Sequence, residues 1–484
     1  MRFLIPILLA ATLPCAAHAR QCVKSAPHST ATLSVAAKLG TAISEARYED
    51  MSSEVIERAK WTLLDNIATL AYTSSLTRRD PYVLRAQQKG GAKEALAWGM
   101  GVRMPVEDAA AANAWMIHAA ETDDTDFRAS LRASPVVMGP ALAMAERQGG
   151  SGKDFLLSIA IGYTVLGRLA EPLGPLQLKG YMSSGVWGPS SAAAVSAKLL
   201  KLNAPATANA IAIAAGAGGG SFQYFYDQTE EKRLVVARAA RAGTEAALLA
   251  CAGEQGAQRV FEGQAGLYRL FGGTRADSID YARISSDFGN LEGPLRLYPK
   301  FFAASASIIP FLEAMPAERV DPADIDYFIV RGNDDAARIY KAKLEQYEAP
   351  KTLIGAKTSL GFVLALYLTR GSADPFDFTS QTLTDPAINA LAATGRFEHM
   401  KSPATELVLV LKSGERITLI PFQSDGSKTE PFMREARLTK FRSLTRHVLT
   451  GAEQDQIIQE VMALDRVSHV KGWLRRIEAM ITKR

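Results

Sequence analysis

Four acids, Glu121, Asp123, Asp124 and Asp126, crowd one short stretch that also holds Thr122 and Thr125. Closely spaced carboxylates can act as general bases or as ligands for a hard cation. The stretch follows a helical pattern from about Val106 to Ala120, so it sits at a helix C-terminus. Acids are disfavoured there because the helix dipole is negative at that end. Such a local conflict leaves two readings, a solvated helix end and a stretch kept for chemistry. The spacing does not make an EF-hand, which needs Gly at the sixth loop position and Glu at the twelfth. No two histidines have the spacing of a zinc ligand set, so no metal is expected.

A second conflict lies at Glu230-Glu231-Lys232-Arg233, which opens a helical pattern running to Glu254. A cation at a helix N-terminus opposes the dipole unless it faces an anion. His118 sits in an apolar helix just before the acids and by itself reads as a core histidine. Gly216, Gly218, Gly219 and Gly220 follow an Ala-rich helix, not a strand, and lack both G-x-G-x-x-G spacing and a Lys-Ser/Thr pair. Close helix packing or a backbone-lined pocket wall accounts for them better than nucleotide binding. Gly-x-Ser-x-Gly is absent, which leaves a hydrolase nucleophile elbow without support. Cys251 lies within the Ala/Leu-rich helix and reads as core.

These groups are carried by a long, mostly helical chain. From Ser53, residues Val55, Ala59, Leu63, Ile67 and Leu70 share one helical face, with Glu54 and Glu57 in the positive first turn. Further helices are expected at about Val136–Gln148, Lys153–Leu169, Ser190–Leu202, Ala204–Ala217 and Arg233–Glu254. The texture changes after Phe288. Residues 324–332 read as a strand, and the β-rich runs Thr405–Leu411 and Glu415–Pro421 flank a hairpin signal at Lys412-Ser413-Gly414. Helical pattern returns at about Ala436–Thr450 and Glu453–Ile481. The expected fold is mainly α: a helical domain from 46–287 and 430–484, with an inserted α+β lid at 288–429. A cleft between two such domains is a usual place for a ligand.

The chain has 484 residues, 22% of them charged and 48% hydrophobic, which excludes disorder and a small disulfide scaffold. Its net charge of +5, from 55 basic and 50 acidic side chains, is mild and unclustered. Nucleic acid is not expected as a partner. Met1-Arg2, the apolar run Phe3 to Pro14 and Ala17-His18-Ala19 have the layout of a signal peptide over 1–19. The expected location is secreted or periplasmic, with a linker over 20–45 and no membrane association once the signal is removed. Cys22 and Cys251 remain after cleavage and could pair in an oxidising compartment.

Six ordered blocks resemble the MmgE/PrpD family. They are Ala59-Lys-Trp-Thr-Leu-Leu-Asp-Asn66, Ala112-Asn-Ala-Trp-Met-Ile-His-Ala-Ala-Glu-Thr-Asp-Asp-Thr125, Ser151-Gly-Lys-Asp-Phe-Leu-Leu-Ser-Ile-Ala-Ile-Gly-Tyr163, Ala212-Ile-Ala-Ala-Gly-Ala-Gly-Gly219, Lys232-Arg-Leu and Ala356-Lys-Thr-Ser-Leu360. The resemblance spans about Ser53 to Ile481. It implies the same two-domain layout, a homodimer, a small-molecule substrate and no cofactor. It also implies proton transfer at a carbon next to a carboxylate, with elimination, decarboxylation or inversion following.

Carried over by position, the resemblance implies catalytic roles for Lys232, Glu121, Asp123 and Thr125. Glu121 stands where the family has an aspartate. Arg296 or Lys300 takes the place of a lysine near Tyr298-Pro299-Lys300-Phe301. Tyr181, Met182 and Phe301 fall where the family has pocket residues, two of them histidines, and Val235 and Phe362 replace a histidine and a tyrosine. Replacing imidazoles by apolar groups removes donors, and unpaired charge in an apolar pocket is costly. The expectation is therefore a lyase or isomerase acting on a substrate less charged than 2-methylcitrate. The alternatives are a cyclisation enzyme of secondary metabolism with an apolar cleft, and a non-catalytic relative that keeps only the fold.

Overall fold

A computed structural model describes residues 22, 34–76, 80–286, 288–316, 318–345, 349–421 and 434–482. The expected signal at 1–19 lies outside them. Two large hydrophobic cores organise the described chain, with two smaller clusters beside them. The larger is built from helices between Val35 and Leu297 together with Phe441 to Ile481 from the far end. The smaller runs from Ala303 to Leu409.

The larger body is layered helix on helix. Ser53–Leu76, Val106–Ala119, Ala133–Gln148, Gly152–Ala170, Ser183–Leu199 and Lys232–Cys251 form its centre. Their ends are set by short polar side chains. Ser151 and Asp154 make a reciprocal capping box, and the Asn203 side chain accepts from the Ala206 amide to start Ala204–Ala215. Small residues then let the helices close up. A Cβ at Gly243 would lie 2.2 Å from the Pro189 carbonyl, so Lys232–Cys251 can cross Ser183–Leu199 at this distance only with glycine there. The glycine run behaves similarly: a Cβ at Gly218 would lie 2.6 Å from the Val186 carbonyl.

Three expectations need correction. The described part of the supposed linker, from Ser34, is the helix Val35–Glu45, not irregular chain. The Ser34 hydroxyl caps it, and Val35, Leu39 and Ile43 bury a face in the main core. Its high content of small residues hid that i, i+4, i+8 stripe. The pattern Glu453–Ile481 is two helices, Gly451–Met462 and Val470–Thr482, joined by a 3-10 turn at Leu464–Arg466. The first body also holds short antiparallel pairs, Ala95–Ala97 with Val102–Met104 and Thr125–Asp126 with Leu131–Arg132.

The returning helices are tied to the first by charge as well as by apolar packing. Lys60 reaches both Asp465 and the Met462 carbonyl. Lys440 meets Asp65 at 2.6 Å, with both side chains almost wholly buried. Trp473 is also buried in the main core. Truncating a tryptophan so placed costs about 3–5 kcal/mol.

The smaller body carries a four-stranded sheet in the order Arg396–His399, Ile325–Gly332, Glu406–Leu411, Arg416–Leu419. The outer pair Ile325–Gly332 and Arg396–His399 is parallel and the others are antiparallel. Glu406–Leu411 and Arg416–Leu419 form the expected hairpin. Cys22 and Cys251 are joined in a disulfide, with Cα atoms 4.6 Å apart. No helix among the described residues is long and apolar enough to cross a membrane.

Candidate active site

The acidic loop leaves Val106–Ala119 through Glu121, whose φ of +60° lies in the left-handed region. A non-glycine residue there is strained by about 1–2 kcal/mol, so the surroundings must hold it. Two ammonium groups do. Lys232, first residue of its helix, binds Glu121 Oε1, and Lys300 Nζ lies 3.5 Å from Oε2. The unfavourable cation at a helix N-terminus is thereby resolved: its anion comes from another helix's C-terminus. The neighbouring Arg233 answers the same conflict with Glu230 and Asp80, and its guanidinium lies 4.4 Å over the Trp115 ring.

Asp123 completes the cluster. Lys300 Nζ is 3.4 Å from its Oδ1, and His118 Nδ1 is 2.9 Å from its Oδ2. His118 Nε2 lies 3.8 Å from Glu121. All five side chains are buried. Burial alone would raise both carboxyls, but Lys232 and Lys300 outweigh it and hold Glu121 well below its ordinary value. Lys300 and His118 do the same for Asp123. Burial pulls His118 down despite Asp123, so the imidazole favours its neutral form. Burial also brings the Lys232 amine down to about 8, against the pull of Glu121. A buried amine near neutrality next to a carboxylate is suited to accept and return a proton.

Thr125 is buried beside this group. Its hydroxyl donates to the Leu131 carbonyl at 2.9 Å and accepts from Arg132 Nη1 at 2.9 Å. Asp124 points the other way. It accepts from the Ser134 amide at 3.1 Å and from the Ser134 hydroxyl, which also meets Tyr163 at 2.6 Å. Burial pushes the Asp124 carboxyl up to about 7, and its bonds to Ser134 only partly offset this.

The structure does not gather every residue expected at the site. Tyr181 is 37% exposed, with its ring edge-on to Phe271 at 4.9 Å. Met182 is buried at the start of Ser183–Leu199, where its amide pairs with the Gly220 carbonyl. Arg296 is engaged elsewhere: its guanidinium lies 3.4 Å from Asp126 and 2.6 Å from Glu171, on a separate groove of about 640 Å³. Of the two cations weighed for that position, Lys300 is the one in the cluster. Phe301 follows it, half-buried, and Phe362 is buried in the lid core.

Three residues of the site were not expected there from the sequence. His118 read as core because its helix is apolar all round, yet it stands three residues before Glu121, within turn reach. Arg132 carried no signal. Lys357, within the Ala356–Leu360 block, crosses from the lid to donate to the Ala120 carbonyl at 3.1 Å. Burial brings its amine down to about 8 as well.

His118, Glu121 and Asp123 offer ligand atoms within 4.8 Å of one another, a composition that suits a cation. Both carboxylates, however, are already met by ammonium groups, which a metal would have to displace. The charge pattern fits proton transfer better.

Fold and site together define a helical protein with an inserted α+β lid that meets the body over a buried acid–amine–histidine cluster. The chain belongs to the MmgE/PrpD family: the N-terminal domain model matches residues 37–279 and the C-terminal domain model residues 298–466. It is 25% identical to the cis-aconitate decarboxylase-like protein oryM of Aspergillus oryzae over 93% of this chain and 98% of that one. It is 24% identical to cis-aconitate decarboxylase of Aspergillus terreus over 95% and 99%. With the human cis-aconitate decarboxylase it shares 30% identity over 47% of this chain and 48% of the relative. The relatives' names are those of lyases.

Proposed function

We propose that this protein is a lyase that moves a proton at a carbon next to a carboxylate or carbonyl, on a substrate less charged than a tricarboxylate such as 2-methylcitrate. The observation that carries this reading is the buried contact between Lys232 and Glu121, with Lys300 bridging to the Asp123–His118 pair. Names of the relatives support the lyase class. In this reading the neutral Lys232 amine takes the proton, while Lys300 and Arg132 offset charge that develops on the substrate oxygens. The electron pair left by the C–H bond forms the new double bond as the leaving group departs. For a decarboxylation the order is reversed: carbon dioxide leaves first and protonated Lys232 returns a proton to the carbon. Each positioned acid or base contributes on the order of 10²–10⁴ in rate.

The convergence of the 121–125 loop with Lys232 and Lys300 speaks against a relative that keeps only the fold. The Cys22–Cys251 disulfide supports an exported protein, since such bonds persist in oxidising compartments.

The test is exchange. A panel of carboxylic acids incubated with the protein in deuterated water is followed by proton NMR for loss of the signal next to the carboxylate. Exchange in the wild type that Lys232→Met abolishes supports the reading. Equal exchange in both would remove Lys232 from the role.

A further inference from the structure

The groove beside Arg296 has a chemistry of its own. Five arginines line it, Arg128, Arg168, Arg275, Arg283 and Arg296, against two acids, Glu171 and Asp280. They arrive from separate elements: the turn after Thr125–Asp126, the last turn of Gly152–Ala170, the 3-10 turns Gly273–Ser278 and Gly293–Arg296, and the short helix Tyr281–Ser285. A guanidinium keeps its charge at any ordinary pH, so their convergence makes a lasting positive field. The volume of about 640 Å³ is that of a small-molecule site. No residue of its wall belongs to the acid–amine–histidine cluster.

Three of the guanidiniums are committed to building the hollow. Arg296 bridges Asp126 and Glu171 and is seated over Gly167, where a Cβ would lie 3.3 Å from its Cζ. Arg128 meets Asp126 at 3.6 Å. Arg168 donates to the Ser286 carbonyl and lies 5.7 Å over the Phe288 ring. The acids are committed as well. Asp280 caps Tyr281–Ser285 by accepting from the Ala282 and Arg283 amides. Burial would raise the Glu171 carboxyl, but Arg296, Arg128 and Arg283 outweigh it and hold it below its ordinary value.

Arg275 and Arg283 remain. Both are exposed, and among the described residues neither guanidinium has a hydrogen-bond or ion-pair partner. The same wall carries apolar surface from Pro172, Ile279 and Ile284. A bare ion would leave that surface unused, whereas an organic anion would cover it.

We propose that this groove binds a small organic phosphate, with Arg275 and Arg283 holding the phosphate and the apolar wall taking the organic part. A phosphate monoester carries close to two negative charges and three strong acceptor oxygens, which suits two guanidinium forks. A single carboxylate brings one charge and two oxygens, and leaves part of that donor set unused. The site is separate from the proton-transfer reading and does not depend on it.

The test uses the full chain, with phenyl phosphate, inorganic phosphate and benzoate titrated by calorimetry at constant ionic strength. Phenyl phosphate should bind saturably, on the order of tenfold tighter than either of the others. Arg275→Gln and Arg283→Gln should each weaken it by about tenfold. Arg338→Gln, which removes an exposed arginine of the lid, should leave it unchanged. All three side chains are exposed, so the fold should hold, and circular dichroism checks this. Inorganic phosphate binding as tightly as phenyl phosphate would overturn the role of the apolar wall. Benzoate binding as tightly would overturn the choice of phosphate. No saturable binding of phenyl phosphate, or binding that either groove variant leaves intact, would overturn the site.

Discussion

The amine of Lys232 and the carboxylate of Glu121, 111 residues apart in the chain, meet in a buried contact at the junction of two helix ends. Each sits at the unfavourable end of its own helix dipole, and each is the other's compensation. Lys232→Met should lower turnover by about 10²-fold or more. It should also cost roughly 3 kcal/mol of stability by leaving Glu121 under-compensated. Adding Glu121→Gln should restore most of that stability in denaturant unfolding and none of the turnover. Restored turnover in the double variant would show that the pair is structural.

Activity should depend on the free amine. Burial brings Lys232 down to about 8, so kcat/KM should climb as pH rises through about 8. Lys232→Arg keeps the charge but has no usable base, and should stay inactive across the whole profile.

Stability should follow pH in two opposed limbs. Asp124 is raised from 3.8 to about 7 in the folded protein, so its contribution is present below 3.8 and is lost as pH rises through about 7. Lys232 is lowered from 10.5 to about 8, so its contribution is present above 10.5 and is lost as pH falls through about 8. Unfolding free energy should therefore fall between about pH 4 and 7 and rise again above about pH 8. Asp124→Asn should flatten the falling limb. A limb unchanged in that variant would assign it to other groups.

The far end of the chain should matter to the loop. Lys440 Nζ lies 2.6 Å from Asp65 and 2.8 Å from the Thr122 carbonyl, one residue from Glu121. Lys440→Met should cost about 3 kcal/mol, because it takes from buried Asp65 the ammonium that meets it at 2.6 Å. With Asp65→Asn added the loss should shrink. Chemical denaturation of the three variants checks it.

Reduction should destabilise the fold. The Cys22–Cys251 bond closes a separation of 229 residues. Its loss should cost about 2–4 kcal/mol and lower the Tm in the presence of a thiol reductant. Thiol titration of the denatured protein should find no free thiol if cleavage removes Cys15 with the expected signal.

The sequence by itself carried the helical body. Apolar stripes such as Val55, Ala59, Leu63 and Ile67, and caps such as Ser151 with Asp154, act within a few residues and so are written locally. The two charge conflicts were legible for the same reason: the dipole at the end of Val106–Ala119 and at the start of Lys232–Cys251 is a local field. That made Glu121 and Lys232 stand out as residues in need of partners, and the ordered blocks pointed to the family. The helix from Val35 was missed because the small residues around Val35, Leu39 and Ile43 obscured their stripe.

Which partner each charge took was decided only in three dimensions. A salt bridge has no sequence period, and its worth depends on burial that the chain acquires only when helices pack. Nothing local distinguished Arg296, which closed on Asp126 and Glu171, from Lys300, which closed on Glu121 and Asp123. Nor could the helical pattern show that His118 faces the acids, or that Lys357 of the lid would reach the Ala120 carbonyl. The types of group present were fixed by the sequence. Their convergence came from glycine-close helix crossings and from a lid docked where two helix ends meet.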